Sequence, residues 1–380
     1  MQKEYNIGMR IAVFGGAFDP LHKEHIRIID GAKSILNMDK VVLLPTYNPP
    51  HKDGSTVSYE HRVAMLRLFA LSRPYVEIDE TEKELSLEKS YAYIVLAEIK
   101  KRYPSDELYY IIGSDSLRKL SSWAQPEEIF KSVKMVVITR GEDDVKDIAC
   151  EYAKKYNGEI IVGFRAETES SSAIRCKLEI GAYDELKGRL DDKILDYIIK
   201  NRLYSRYADV VARLKATLSE RTFRHSLRVA EFAVENAWRV WEDYDKALLA
   251  GLLHDSAKGR APIKDESEYD VSSTEVIHQY DGAEVARAEY GIDDEEILDA
   301  IRYHTTGKPN FSSLGKLIYL ADKLERGRDY PCVDYLRATL EQKGVDVAFR
   351  EALGHSIEYL RACNKKIDLL TLDAYEWYNR

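Results

Sequence analysis

Residues Phe14–His25 read FGGAFDPLHKEH. Gly15 and Gly16 permit backbone conformations closed to other residues and let main-chain amides approach a phosphate. His22 and His25 are three apart, a spacing that puts both on one face at the start of a helix. A helix N-terminus already favours anions, and two imidazoles there can donate to the oxygens of a triphosphate. A second set lies far along the chain. His225, His254, Asp255, His278, His304 and Asp322 sit in or beside apolar helical segments. A buried charge without a partner is costly, and cation coordination removes that cost. Imidazole with carboxylate suits Fe, Mn, Co or Zn better than Ca.

Different elements must position these two sets. In the first half, short β-rich runs alternate with helical ones. Arg10–Phe14, Val41–Leu44, Leu108–Ile112, Met135–Thr139 and Glu159–Val162 read as strands, with helices such as Glu60–Leu71 and Tyr91–Arg102 between them. Alternation of this kind implies parallel pairing in a doubly wound sheet. Such a sheet binds ligands at the carboxyl ends of its strands, which is where Gly15 and Gly16 fall. From about Tyr207 the strand runs stop. Helical periodicity then predicts Asp209–Leu218, Thr222–Trp241, Asp245–His254, Asp281–Tyr290, Glu295–His304 and Leu314–Leu324, an all-α second half. The junction near Leu203–Tyr207 has no Gly/Ser/Pro linker.

Bulk properties agree with two domains. The chain has 380 residues, 45% hydrophobic and 32% charged, and a net charge of −9. That length suggests roughly two domains at 100–200 residues each. The acidic balance and the lack of a Lys/Arg block argue against a nucleic-acid-coating surface but not against small phosphorylated substrates. No apolar run reaches the ~18 residues a membrane span needs. The start, MQKEYNIGMRIAVFGG, has no charged-then-apolar leader. Cys150, Cys176, Cys332 and Cys363 are dispersed without a CxxC pair, which reads as free thiols in a reducing cytoplasm.

The string GGAFDPLHKEH resembles the nucleotide-binding signature of the nucleotidylyltransferase superfamily. Its continuation resembles bacterial nicotinate-nucleotide adenylyltransferases. The matching residues are Pro45-Thr46-Tyr47-Asn48-Pro49-Pro50-His51-Lys52, His61-Arg62-Val63-Ala64-Met65-Leu66, Gly113-Ser114-Asp115-Ser116-Leu117 with Trp123, and Glu169-Ser170-Ser171-Ser172-Ala173-Ile174-Arg175. In order over residues 9–204 they are far more specific than any one alone. The resemblance implies attack by the phosphate of nicotinate mononucleotide on the α-phosphorus of ATP, with pyrophosphate leaving. His22, His25, Lys52 and Arg175 are expected on the triphosphate, with Mg²⁺ assisting. Gly15, Gly16, Phe18, Ser171 and Ser172 are expected around the nucleotide, Asp115 at a ribose or metal, and Trp123 against the pyridine ring. Two departures stand out. Glu24 replaces a glycine of the signature, placing bulk and negative charge near an anion site. Ala92, Ile94 and Val95 replace family threonines and an aspartate on the nicotinate side, which bears on nicotinate against nicotinamide preference.

The order of His225, His254-Asp255 and Asp322 resembles the HD phosphohydrolase superfamily. The strings GLLHDSAK, IRYHTTG and LADKLERGR, with His278 ahead of Gly282-Ala283, resemble bacterial symmetrical diadenosine tetraphosphate hydrolases over residues 206–380. The resemblance implies metal-dependent hydrolysis giving ADP, with a divalent transition metal, expected to be Fe, as one or two ions. His225, His254, Asp255 and Asp322 would hold one ion. His278 and His304, with Asp255 bridging, would hold the other. Lys258 is a candidate for touching phosphate or orienting Asp255, with a plain surface lysine as the alternative. Arg326 and Arg328 are candidate phosphate clamps. Of nine histidines, eight fall in these strings, leaving His355 outside them, and His61 reads as a structural helix residue.

The expected architecture is an α/β doubly wound Rossmann-like nucleotidylyltransferase domain, residues 1–204, followed by an all-α HD domain, residues 206–380. The expected ligands are ATP, nicotinate mononucleotide and diadenosine tetraphosphate, in a cytoplasmic protein without nucleic-acid or membrane partners. Oligomeric state is open, a homo-oligomer included. Three alternatives also stay open: an HD half that senses a nucleotide without turnover, either half acting on another nucleotide, and a binding-only scaffold.

Overall fold

The computed structural model describes residues 8–48, 57–86, 91–140, 144–166 and 170–380. The chain folds as two compact units. One holds residues 1–175 and 183–204, the other 176–182 and 205–380.

The first unit is built on a parallel sheet of strands β1 Arg10–Gly16, β2 Lys40–Pro45, β3 Val76–Ile78, β4 Glu107–Gly113, β5 Lys134–Arg140 and β6 Ile160–Ala166. Their order is β3-β2-β1-β4-β5-β6. Ile11–Val13 and Val41–Leu43 are fully buried, as parallel strands covered on both faces must be. The order reverses between β1 and β4, whose register pairs Phe14 with Ile111. Gly15-Gly16 and Gly113 therefore end neighbouring strands at the switch point, where a doubly wound sheet opens a crevice. Strand β3 is absent from the runs that the sequence predicts. It has three residues, Val-Glu-Ile, too few to display a pattern. Strand β6 begins and ends later than the Glu159–Val162 expected.

The second unit contains no strand among its described residues. Several of its helices begin on side-chain caps. Ser219 accepts from Thr222 N at 3.2 Å ahead of helix Glu220–Asn236. Asp243 accepts from Asp245 N and Lys246 N at 2.8 and 3.0 Å ahead of helix Tyr244–Leu253. Ser312 accepts from Gly315 N at 3.0 Å ahead of helix Ser313–Leu324. Each cap satisfies an amide that the first turn leaves open.

Four helices end or begin elsewhere than expected. Thr222–Trp241 is not one helix: it ends at Asn236 and tightens into a 3₁₀ turn, Ala237–Val240. His278 lies inside helix Ile277–Tyr290, which starts earlier than predicted. His254 and His304 fall just beyond helices ending at Leu253 and Arg302. The cause is local. His254 Nδ1 bonds Gly251 O at 2.8 Å, and His304 Nδ1 bonds Ile301 O at 2.8 Å. The imidazoles satisfy carbonyls that the last helical turn leaves open. Periodicity also gives no warning of helices Val333–Lys343, Val345–Ala362 and Leu369–Tyr378, which share a core around Tyr319 and Phe349.

Helices Glu220–Asn236 and Tyr244–Leu253 bring His225 and His254 together, and they touch at Gly251. A Cβ there would lie 2.6 Å from Ala230 Cα, a backbone atom that cannot step aside. Gly251→Ala is expected to cost about 1–3 kcal/mol through overpacking. Thermal or urea unfolding measures this; a variant as stable as the parent would refute the close approach.

Candidate active sites

In the first unit, His22 is the N-cap of helix Lys23–Ser34 and His25 its third residue. Their ring centroids are 4.0 Å apart. Phe18 has 1% exposure, and its ring meets His25 edge-on at 5.2 Å. Its side chain thus supports the imidazole from within the core. His22 Nε2 lies 3.1 Å from Ser171 Oγ, so the first turn of helix Ser171–Glu179 meets the His22 helix. Two helix N-termini converge there, an arrangement that favours an anion. Ser170 caps the second helix, accepting from Ala173 N at 3.1 Å.

Two guanidinium groups hold the loop between Gly16 and His22. Arg175 donates to Asp19 O at 3.0 Å and to Ser172 Oγ at 3.1 Å. Arg62 donates to Ala17 O at 2.7 Å. Arg175 is therefore engaged with the loop as folded, and touching a phosphate means exchanging those bonds. Tyr204 Oη donates to Asp19 Oδ1 at 2.6 Å. The roles of Arg62 and Tyr204 are not legible in the sequence. They depend on which carbonyl or carboxylate the fold brings near. Glu24 is buried and pairs with Arg27 at 3.0 Å, which answers its charge beside the histidines.

A cavity of about 400 Å³ opens beside this loop, with Gly15, Gly16, Ala92, Val95 and Trp123 in its wall. A Cβ on Gly15 would lie 3.3 Å from Tyr110 Oη, and one on Gly16 3.3 Å from the Phe18 ring. Glycine keeps the floor open at both places. Trp123 serves cavity and core together, since it also packs on the sheet's apolar cluster. Glu82 joins the wall as a buried carboxylate that no sequence motif marks. Ile94 is not in this wall, and neither is Asp115, which is exposed in the first turn of helix Ser114–Arg118. Lys52 and its neighbours Pro49–His51 lie outside the described residues, as does Glu169.

In the second unit, the six candidate ligands gather. His225, His254 and Asp322 form one set of ligand atoms within 4.8 Å of one another. His254, Asp255 and His304 form another. His254 is thus common to both, whereas the family resemblance implies Asp255 in the sharing role. Asp255 still lies between rings: its Oδ2 is 3.5 Å from His254 Nε2, and its Oδ1 is 3.5 Å from Nε2 of both His278 and His304. His278 belongs to neither compact set.

The ring orientations are fixed from behind. His254, His278 and His304 each direct Nδ1 at a backbone carbonyl, of Gly251, Glu275 and Ile301, at 2.8–2.9 Å. A carbonyl only accepts, so each Nδ1 carries the hydrogen, and Nε2 of the neutral ring presents a lone pair to the centre. His225 Nδ1 faces Glu325 Oε1 at 3.1 Å. Its Nε2 stands 2.9 Å from Asp322 Oδ1 and 3.3 Å from His254 Nε2. Asp255 Oδ1 is buried and has no hydrogen-bond partner. Lone pairs face lone pairs at these distances, so the residues present fit a bound cation. Backing of each imidazole by carbonyl or carboxylate is what metal-ligating histidines require.

Electrostatics follow from this crowding. Burial opposes a charge on His225, but hydrogen bonds to Asp322 and Glu325 outweigh it and raise its pKa. Burial pushes His304 down, and it takes His278 down to about 4, helped by the charge of His304. Burial works against ionised Asp255 and Asp322 too. Yet His254 and His304 hold the first well below the usual carboxylate range, and His225 with Lys323 and Arg328 does so for the second. Glu325 and Arg228 are functional partners that the sequence leaves unmarked. Arg228 Nε donates to Glu325 Oε2 at 2.6 Å, and each stands three residues from a ligand, Asp322 or His225, one helical turn away.

Comparison with known proteins accords with both geometries. Residues 13–177 match the cytidylyltransferase-like family and residues 222–327 the HD domain. A protein of Mycoplasma genitalium described as a probable nicotinate-nucleotide adenylyltransferase/Ap4A hydrolase is 30% identical over 332 residues, 84% of this chain and 88% of that protein. The chain belongs to this two-domain family. A probable nicotinate-nucleotide adenylyltransferase of Endomicrobium trichonymphae is 35% identical over 196 residues, 51% of this member and 98% of the relative. The crystal structure of a predicted HD superfamily hydrolase involved in NAD metabolism from Clostridium acetobutylicum is 33% identical. The match covers 46% of this chain and 96% of that one, with a TM-score of 0.42. Among the described residues, no helix is long and apolar enough to cross a membrane.

The raised His225 pKa gives a signed prediction for metal-free protein. Its stabilising contribution is fully present below the unfolded imidazole value of about 6.5 and fades as pH rises through the higher folded value. Glu325→Gln removes one of the groups that raise it, so the variant should lose less stability over that pH rise than the parent. Urea unfolding in chelator across the window measures the difference. Equal pH dependence in both proteins would contradict the pairing.

Proposed function

We propose that the chain is a bifunctional enzyme. Residues 1–204 transfer the adenylyl group of ATP to nicotinate mononucleotide, and residues 206–380 hydrolyse diadenosine tetraphosphate symmetrically to ADP. The observation that carries this reading is the cluster of His225, His254, Asp255, His304 and Asp322, with His278 Nε2 3.5 Å from Asp255 Oδ1, in a chain that also keeps the loop and paired helix N-termini of the first site. The names of relatives spanning most of the chain support both activities.

In the transfer, a phosphate oxygen of nicotinate mononucleotide bonds to the α-phosphorus of ATP. The bond from that phosphorus to the β-bridging oxygen breaks, and pyrophosphate leaves with the electron pair, giving deamido-NAD. The nucleophile is already anionic, so positioning and charge neutralisation dominate. His22 and His25 donate to phosphate oxygens at the helix N-terminus. Ser171 and Ser172 offer hydroxyls, with Lys52 and Arg175 as cations. Mg²⁺ accompanies ATP. Gly15, Gly16 and Trp123 bound the nucleotide cavity, with Phe18 supporting His25 and Asp115 reaching the ribose. Ala92 and Val95 in the cavity wall make it less polar than the family pattern, where the pyridine ring is expected.

In the hydrolase half, the six ligands hold one or two divalent transition metal ions, with Fe the preferred identity. When bound, such ions lower the pKa of water and neutralise phosphate charge. His254, His278 and His304 keep their Nε2 atoms turned inward through their carbonyl bonds. Lys258 holds Asp255 in place, with Nζ 2.8 Å from Oδ2. A cytoplasmic location completes the proposal, in keeping with the four free thiols.

Point variants should separate the two activities. Asp255→Asn should abolish release of ADP from diadenosine tetraphosphate and leave pyrophosphate release from ATP with nicotinate mononucleotide intact. His22→Ala should lower adenylyl transfer by roughly 10²–10³-fold and spare hydrolysis. A panel adding nicotinamide mononucleotide and several divalent metals tests the substrates. Loss of both activities in a folded Asp255→Asn protein, or of neither, would overturn the assignment.

A further inference from the structure

The helical unit contains a cavity of about 720 Å³ whose wall includes His278, Thr305, Lys258 and Lys323. It therefore opens directly on the ligand cluster. Most cations around that cluster are already committed. Arg328 donates to Asp322 Oδ1 at 2.5 Å and to Asp322 O at 2.7 Å. Arg326 lies 3.2 Å from Glu231 Oε2. Lys258 is bound to Asp255. The two arginines expected to clamp phosphate thus serve carboxylates of the protein itself.

Lys323 is placed differently. It follows Asp322 on helix Ser313–Leu324, and its side chain is 20% exposed. Among the described residues, the carboxylate oxygen near its ammonium is Asp322 Oδ2 at 4.0 Å, beyond hydrogen-bond reach. The ammonium stands over the Tyr319 ring, 4.3 Å from its centroid. That ring is fully buried, and its hydroxyl is tied to Ser356 Oγ at 3.1 Å. A rigid aromatic face holds the lysine while leaving its hydrogen-bond donors unused. A largely buried ammonium without a hydrogen-bonded anion is costly, and an anionic ligand in the cavity would supply the missing acceptor.

We propose that Lys323 is a substrate-binding residue of the helical site, donating to a non-bridging oxygen of the polyphosphate chain beside the metal cluster. This rests on the hydrolase reading for its substrate, but not for its anion. Lysine suits the role as a point charge on a flexible four-carbon stem, indifferent to which phosphate oxygen it meets. Thr305, with Oγ1 3.4 Å from His278 Nε2, adds a hydroxyl on the same wall.

The test uses the full chain loaded with Mn²⁺, as Lys323→Met, Lys323→Arg and parent. Lys323→Met is expected to raise the KM for diadenosine tetraphosphate roughly 10- to 100-fold, the loss of one charge-assisted hydrogen bond. Its metal content should be unchanged, and Lys323→Arg should recover most of the affinity. Hydrolysis of bis-p-nitrophenyl phosphate, which has one phosphate and no chain, should change far less. Calorimetric binding of inorganic tripolyphosphate in a His22→Ala background gives a readout independent of turnover. If the parent binds tripolyphosphate through Lys323 but leaves diadenosine tetraphosphate intact, the proposed hydrolase activity fails and this inference stands. An unchanged KM and tripolyphosphate affinity in Lys323→Met overturns the inference. So does metal loss in that variant, which would make Lys323 a support for Asp322.

Discussion

A carboxylate buried among imidazole lone pairs is the constraint on which the helical half depends. Asp255 is fully buried, and its Oδ1 accepts no hydrogen bond. The rings around it have given their Nδ1 hydrogens to main-chain carbonyls. With their Nε2 lone pairs turned inward, these rings and the oxygen together suit a cation. The surrounding packing serves the same end. Gly251 lets two helices close to backbone contact, and the helix ends at Leu253 and Arg302 turn their open carbonyls into anchors for the next histidine. Geometry of this kind costs stability without its ion, because lone pairs and carboxylates crowd one another. Ion binding offsets that cost.

The first half handles phosphate by other means. Among the described residues, its candidate phosphate site has no metal-ligand cluster like that of the helical half. Main-chain amides at two helix starts, two imidazoles and a glycine floor make a surface of partial positive charge. The guanidinium groups of Arg62 and Arg175 shape that surface indirectly by gripping the carbonyls of Ala17 and Asp19. A parallel sheet makes this possible, since it delivers Gly15-Gly16 and Gly113 to adjacent strand ends at one crevice.

The sequence displays the types of residue suited to the chemistry, while their partners emerge only on folding. His22, His25 and the six metal-ligand candidates are legible because their spacing and apolar surroundings are unusual. The long strands are legible because continuous burial makes continuous apolar runs, as in Ile11–Val13. Strand β3 is invisible because three residues carry no period. Glu325, Arg228, Arg62 and Glu82 look like any surface charge until the fold shows what each faces. Phe18 reads as part of a ligand loop, and only the fold shows that its ring also packs on His25. The contrast between Arg326 or Arg328 and Lys323 has the same origin. All three sit in one short string, and only tertiary contacts decide which charge is already answered.

The tautomers locked by Gly251, Glu275 and Ile301 carry a consequence for proton stoichiometry during metal uptake. His278 and His304 are held neutral near physiological pH by burial, so coordinating through them releases no acid. Hydrogen bonds to Asp322 and Glu325 instead favour the charged form of His225, so a proton is displaced more readily from that ring than from His278 or His304. Acidification of the medium on loading thus reports on His225 rather than on His278 or His304.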